Sequence, residues 1–129
     1  MNDLDALRLP ASYDHIAKRE FHRVAAKLLQ QLKRELNGIY GDGKVRHNQG
    51  GIAVSGEITL HLDCLYVQVS QFAFSGPDNG VMFRSCNGQK DYTGGANNFA
   101  TFTDLVEPAK LARIIQTRVP FSMKRGMPA

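Results

Sequence analysis

The chain contains no tryptophan and only two cysteines in 129 residues. Two thiols exclude a disulfide-stapled scaffold, which needs several bridges to replace a core. Cys64 and Cys86 both lie in apolar, strand-like stretches. Free cysteine in such places serves as a small core residue, with a single bridge between neighbouring strands as the alternative. Apolar runs are short everywhere, so nothing reaches the roughly eighteen residues of a membrane-spanning helix. The opening MNDLDALRLPASYDHIAKRE lacks the basic-then-apolar order of a secretory signal. These absences predict a soluble cytoplasmic protein with no membrane partner.

Basic residues are nearly missing from the middle of the chain. Residues 51–105 hold only Arg84 and Lys90 against five carboxylates, a net −3. Residues 1–50 carry net +3 and residues 106–129 net +4, which together make the overall +4. Basic ends could contact nucleic acid, but charge runs are more often the solvated faces of terminal helices. Nucleic acid is therefore an admissible but disfavoured partner.

Apolar types supply 43% of the residues, enough for one core, and the length fits one domain over 1–129. Residues 1–11 read as an irregular arm. From Ser12, which suits an N-cap, apolar residues recur at helical spacing: Ala17, Phe21, Val24, Ala25, Leu28, Leu32 and Leu36. Asn37-Gly38 ends that helix. A helix of this length overhanging a small sheet predicts a dimer or larger even-numbered assembly through its stripe.

The segment NGIYGDGKVRHNQGG is loop-like, with a short strand at Lys44–His47. Alternation then predicts strands over 52–62, with Gly56 as a bulge, and over Leu65–Ser70 after an Asp63-Cys64 turn. VMFRSC (81–86) makes a further strand. Asn87-Gly88 reads as a two-residue hairpin returning Gln89–Tyr92. Asp104 or Thr103 caps a helix over Leu105–Arg118, with Pro108 in its first turn, and residues 119–129 form a loose basic tail. The predicted class is α+β: a long N-terminal helix, a small antiparallel sheet of 3–5 strands and a C-terminal helix.

Most chemical motifs fail on inspection. GIYGDGK (38–44) begins like a phosphate loop, but Val45 stands where Ser or Thr would hold magnesium, and it follows a helix instead of a strand. His15 and His22 are seven apart on one helix, without a third ligand at zinc spacing. His61, Asp63 and Cys64 lie close in sequence, but ordinary polar roles suit them better than a metal. No cofactor, metal or catalytic residue is expected, and there is no acid–base pair on which to build an enzyme.

One segment stands apart, FRSCNGQKDYTGGANNF over residues 83–99. Across the Asn-Gly turn, Arg84 and Lys90 would sit near each other as antiparallel partners. Thr93-Gly94-Gly95 could bring backbone N–H groups to an anion. Asn97 and Asn98 could contact a base edge, and Phe83, Tyr92 or Phe99 could stack on a flat ring. The set suits a nucleotide. Read without function, it is a hairpin with core aromatics and self-satisfied turn amides.

With its N-terminal helix, β core bearing Phe83-Arg84, Gly-Gly-Ala-Asn-Asn loop and Arg113 on a C-terminal helix, the chain resembles the phage anti-Thoeris sponge proteins. The resemblance implies capture, without cleavage, of a cyclic ADP-ribose-like signal or a cyclic oligonucleotide in the host cytoplasm. It also implies assembly into dimers or larger rings. Phe83 would then be the stacking aromatic, Asn97 or Asn98 the amide and Arg113 a C-terminal cation, with Lys44 and Arg46 candidates for phosphate. The competing expectations are an inhibitor that binds a macromolecular partner and, less favoured, a small phosphodiesterase.

Overall fold

The computed structural model describes residues 2–8, 15–48, 57–70, 78–88, 94–122 and 127–128. Helices α1 (Asp3–Leu7) and α2 (His15–Leu36) precede strands β1 (Gly43–Asn48), β2 (Glu57–Leu62), β3 (Leu65–Ser70), β4 (Val81–Ser85) and β5 (Asn98–Ala100). Helices α3 (Phe102–Leu105) and α4 (Pro108–Arg118) follow, then the short strands β6 (Phe121–Ser122) and β7 (Met127–Pro128). The five main strands form an antiparallel sheet in sequence order, β1-β2-β3-β4-β5. The α+β class is as expected.

Strand register divides the sheet into two faces. Ile58, Leu60, Leu62, Val67, Val69, Val81, Phe83 and Ala100 share one face and belong to the main core. Against that layer pack Phe21, Val24, Leu28, Leu32 and Leu36 of α2 with Leu111 and Ile115 of α4. All five α2 residues are at most 2% exposed, so the stripe is consumed inside one chain. The physical ground for an intersubunit helix contact is thereby removed. The sheet and α4 together cover what the sheet alone could not. No helix among the described residues is long and apolar enough to cross a membrane.

Helix α2 ends as its sequence predicts. Asn37 and Gly38 both adopt positive φ, the left-handed conformation that terminates helices. The Asp63-Cys64 turn joins β2 to β3, and the predicted strand at Lys44–His47 lies within β1. The expected bulge at Gly56 and the return strand Gln89–Tyr92 lie outside the described residues.

Three expectations are corrected. The arm is not wholly irregular: Asn2 Oδ1 accepts from the Asp5 N–H at 2.8 Å, capping α1, and Ala6 and Leu7 enter the core. Lys27 Nζ, 2.7 Å from Asp3 Oδ2, ties α1 to α2. The C-terminal helix is two helices. Thr101 caps α3 in a reciprocal box with Asp104, and Pro108 then opens α4. A proline biases the preceding residue away from helical geometry, which explains the break at Glu107. The tail is not all loose either. Val119 is buried, its carbonyl accepts from the Tyr40 hydroxyl, and β6 pairs with β7. Burial pushes the Tyr40 hydroxyl up to about 12, so it remains a donor.

Candidate functional site

The second face of the sheet breaks the usual rule that an antiparallel sheet turns its polar side to solvent. Register places Lys44, His61, Tyr66 and Arg84 in one row across it, and Arg46, Thr59, Gln68, Met82 and Phe99 in the next. His61, Tyr66 and Met82 are nevertheless buried. Tyr66 and Met82 form a small cluster with Cys86.

Aromatic and polar contacts organise this face. The His61 ring meets Tyr66 edge-on, with centroids 5.0 Å apart. The Tyr66 hydroxyl donates to Gln68 Oε1 at 2.9 Å, and Gln68 Nε2 donates to Ser70 Oγ at 3.2 Å. The Arg84 guanidinium lies over the Tyr66 ring, 4.7 Å from its centroid. Its Nη1 donates to Asn97 Oδ1 at 3.3 Å. Two residues beyond Asn97, Phe99 stands on the same face, opposite Met82 and 48% exposed. A cation, an amide and an open aromatic therefore line one end of the sheet. Tyr66 supports the cation from beneath.

The predicted site residues divide. Arg84 and Asn97 are brought together. Phe83 is not available for stacking, because its ring is fully buried on the helix-covered face; among the described candidates Phe99 reaches the surface. Asn98 also turns toward the helix-covered side, and its Nδ2 donates to the Ala96 carbonyl at 3.3 Å. Arg113 is exposed on α4 and lines an open groove of about 300 Å³ with Lys110, Ile114, Thr117 and Arg118, whose Nη1 donates to the Phe99 carbonyl at 3.1 Å. Lys90, Tyr92 and Thr93 lie outside the described residues.

The glycines serve the backbone. The Cys86–Gly94 bridge shows that Asn87-Gly88 is not a two-residue turn, which would have paired Cys86 with Gln89. Arg84 meets Asn97, the residue just before β5. A Cβ at Gly94 would fall 1.9 Å from the Ser85 carbonyl oxygen, and one at Gly95 would fall 2.6 Å from Ser85 Oγ. The Gly95 N–H already donates to Ser85, at 3.2 Å to the carbonyl oxygen. Close approach of two strands accounts for these glycines, and that N–H is spent inside the chain instead of on an anion.

Both cysteines are free thiols, as favoured from sequence. Cys86 Sγ donates to the Leu62 carbonyl at 3.5 Å. Burial, with help from the Asp63 charge, pushes the Cys64 thiol up, away from the reactive thiolate. Among the described residues, no group of three or more His, Cys, Asp or Glu could hold a metal ion.

Sequence reasoning missed Tyr66 and His61. Alternation in LHLDCLYVQVS puts both opposite the apolar positions, so they read as solvent-facing. Their burial depends on tertiary coverage of the second face, which alternation does not encode. Comparison with known proteins finds no matching family model, no matching curated protein and no matching solved structure.

Proposed function

We propose that the chain binds a small anionic ligand with a flat ring, of the nucleotide class, at the Arg84–Asn97–Phe99 end of the second sheet face. The observation that carries this reading is the placement of Arg84, stacked on Tyr66 and hydrogen-bonded to Asn97. Such support holds a planar guanidinium in one orientation, which lowers the ordering cost of gripping a phosphate. Asn97 adds an amide able to contact a base edge, and Phe99 adds a ring face for stacking.

The reading is of capture without turnover. A guanidinium and an amide supply hydrogen-bond donors and an acceptor but no general acid or base. This pair therefore recognises charge and edges instead of moving protons. The resemblance to signal-sequestering sponge proteins supplies the ligands to try first. That role, and any self-association accompanying it, belongs to this proposal alone.

The test is calorimetry of the chain against cyclic ADP-ribose isomers, cyclic oligonucleotides and adenosine mononucleotides. Recovery of the bound ligand follows. Saturable binding with intact ligand supports capture, and altered ligand indicates an enzyme. No binding even at millimolar concentration removes the nucleotide reading and leaves the macromolecular-partner alternative.

A further inference from the structure

Helix α2 carries a second polar feature on the opposite side of the sheet. His22 is 4% exposed on the buried side of the helix. His47 sits on edge strand β1, paired with Ile58 and hence on the helix-covered face, yet its side chain is exposed. Packing of α2 against β1 brings the two Nδ1 atoms to 3.2 Å, with ring centroids 5.4 Å apart. His22 Nε2 is buried without a hydrogen-bond partner.

Two neutral imidazoles can share one N–H···N hydrogen bond at this distance. They cannot both be charged without repelling each other. The same spacing also suits a metal. With Zn–N bonds of about 2.0–2.1 Å at a tetrahedral angle, two ligand nitrogens lie about 3.3–3.4 Å apart. The observed spacing is close enough that a small ring rotation would aim both lone pairs at one ion. Exposed His47 leaves a path from solvent, and rigid elements on both sides fix the separation.

We propose that His22 Nδ1 and His47 Nδ1 form a two-imidazole site for a divalent transition-metal ion such as Zn²⁺ or Ni²⁺. Water or an added ligand completes the coordination. Imidazole suits these ions, and both nitrogens must be unprotonated to bind. The proposal is independent of the Arg84 site, which lies on the other face of the sheet. Lys18, one turn before His22 and also buried, contributes a nearby positive charge that opposes a cation. The affinity expected is therefore moderate.

The experiment titrates chelator-treated protein with Zn²⁺ and then Ni²⁺ by calorimetry near neutral pH. Imidazole nitrogen resonances are followed in parallel. The expected result is a single saturable equivalent at micromolar metal, with the Nδ1 signals of His22 and His47 shifting together. His47→Ala, at an exposed position, should lose at least about tenfold in affinity while keeping the metal-free melting transition. His15→Ala, two turns earlier on the same helix, should bind as wild type. Absence of saturation at millimolar Zn²⁺, binding unchanged in His47→Ala, or equal loss in His15→Ala would each overturn the proposal.

Discussion

Arg84 and Asn97 meet just past the end of the β4–β5 ladder, and the arginine Nη1 donates to the asparagine Oδ1 at 3.3 Å. The amide also leans on the cation that Tyr66 holds from below. If this unit grips a phosphorylated ligand, Arg84→Ala should lose about 1.5–3 kcal/mol of binding, roughly tenfold to a hundredfold. Arg84→Lys should recover only part of it, because a lysine keeps the charge but loses the planar fork. Calorimetry with the best nucleotide measures both. Wild-type affinity in both variants would mean that the ligand binds elsewhere.

Phe83 and Phe99 are neighbours on paired strands but point to opposite faces, one fully buried and the other 48% exposed. They should therefore separate stability from binding. Phe83→Ala should cost about 3–5 kcal/mol of folding free energy through the cavity it opens. Phe99→Ala should leave the melting temperature nearly unchanged and weaken nucleotide binding by about 1–3 kcal/mol. Urea unfolding beside calorimetry on the two variants reads this directly. The opposite pattern would remove Phe99 from the site.

Helical spacing and strand alternation reach most of this fold because both patterns are local. The stripe from Phe21 to Leu36 named the buried side of α2, and Asn37-Gly38 named its end. What the stripe faces is not local. Without knowing that α4 packs against α2, the same residues looked like an unsatisfied interface. The site shows the same division. Arg84 and Asn97 stood out as the scarce cation and the amide of one segment, but the Asn-Gly dipeptide suggested the wrong ladder. The β4–β5 register, with Phe83 opposite Asn98, is what brings Asn97 beside Arg84. Tyr66 and His61 carry no sequence mark of burial, since the alternation that hides Val67 and Leu60 should expose them.

Leu28 is 2% exposed within the core of a single chain. Leu28→Asp should therefore unfold the protein by burying an unpaired carboxylate, and it should do so independently of protein concentration. Leu28→Ala should cost about 2–5 kcal/mol. Denaturant curves at two concentrations distinguish this from loss of a subunit contact. A concentration-dependent midpoint in the wild type would restore an interface.

Gly94 approaches Ser85 so closely that an added Cβ would lie 1.9 Å from a carbonyl oxygen. Gly94→Ala should force the two segments apart and destabilise the sheet edge, by about 1–3 kcal/mol as for other overpacked positions. Because Asn97 hangs from that same edge, nucleotide binding should weaken too. A melting curve and one titration check both effects. A variant as stable as wild type would show that the edge has room to move.

Burial pushes the His22 imidazole below its ordinary value of 6.5, and the neighbouring His47 and Lys18 charges add to the effect. A depressed histidine binds fewer protons folded than unfolded, so stability rises with pH through the range between the two values. The full contribution is present above the unfolded value of 6.5 and is lost as the solution is acidified below it. Unfolding free energy from urea curves should therefore fall as the pH drops below about 6.5. The His47 charge is one of the causes of the His22 depression. His47→Gln should flatten the slope while preserving stability near neutral pH, since the glutamine stays uncharged. His22→Gln should flatten it further but lower the whole curve, because the side chain it replaces is buried. A slope unchanged in both variants would show that acid sensitivity arises elsewhere.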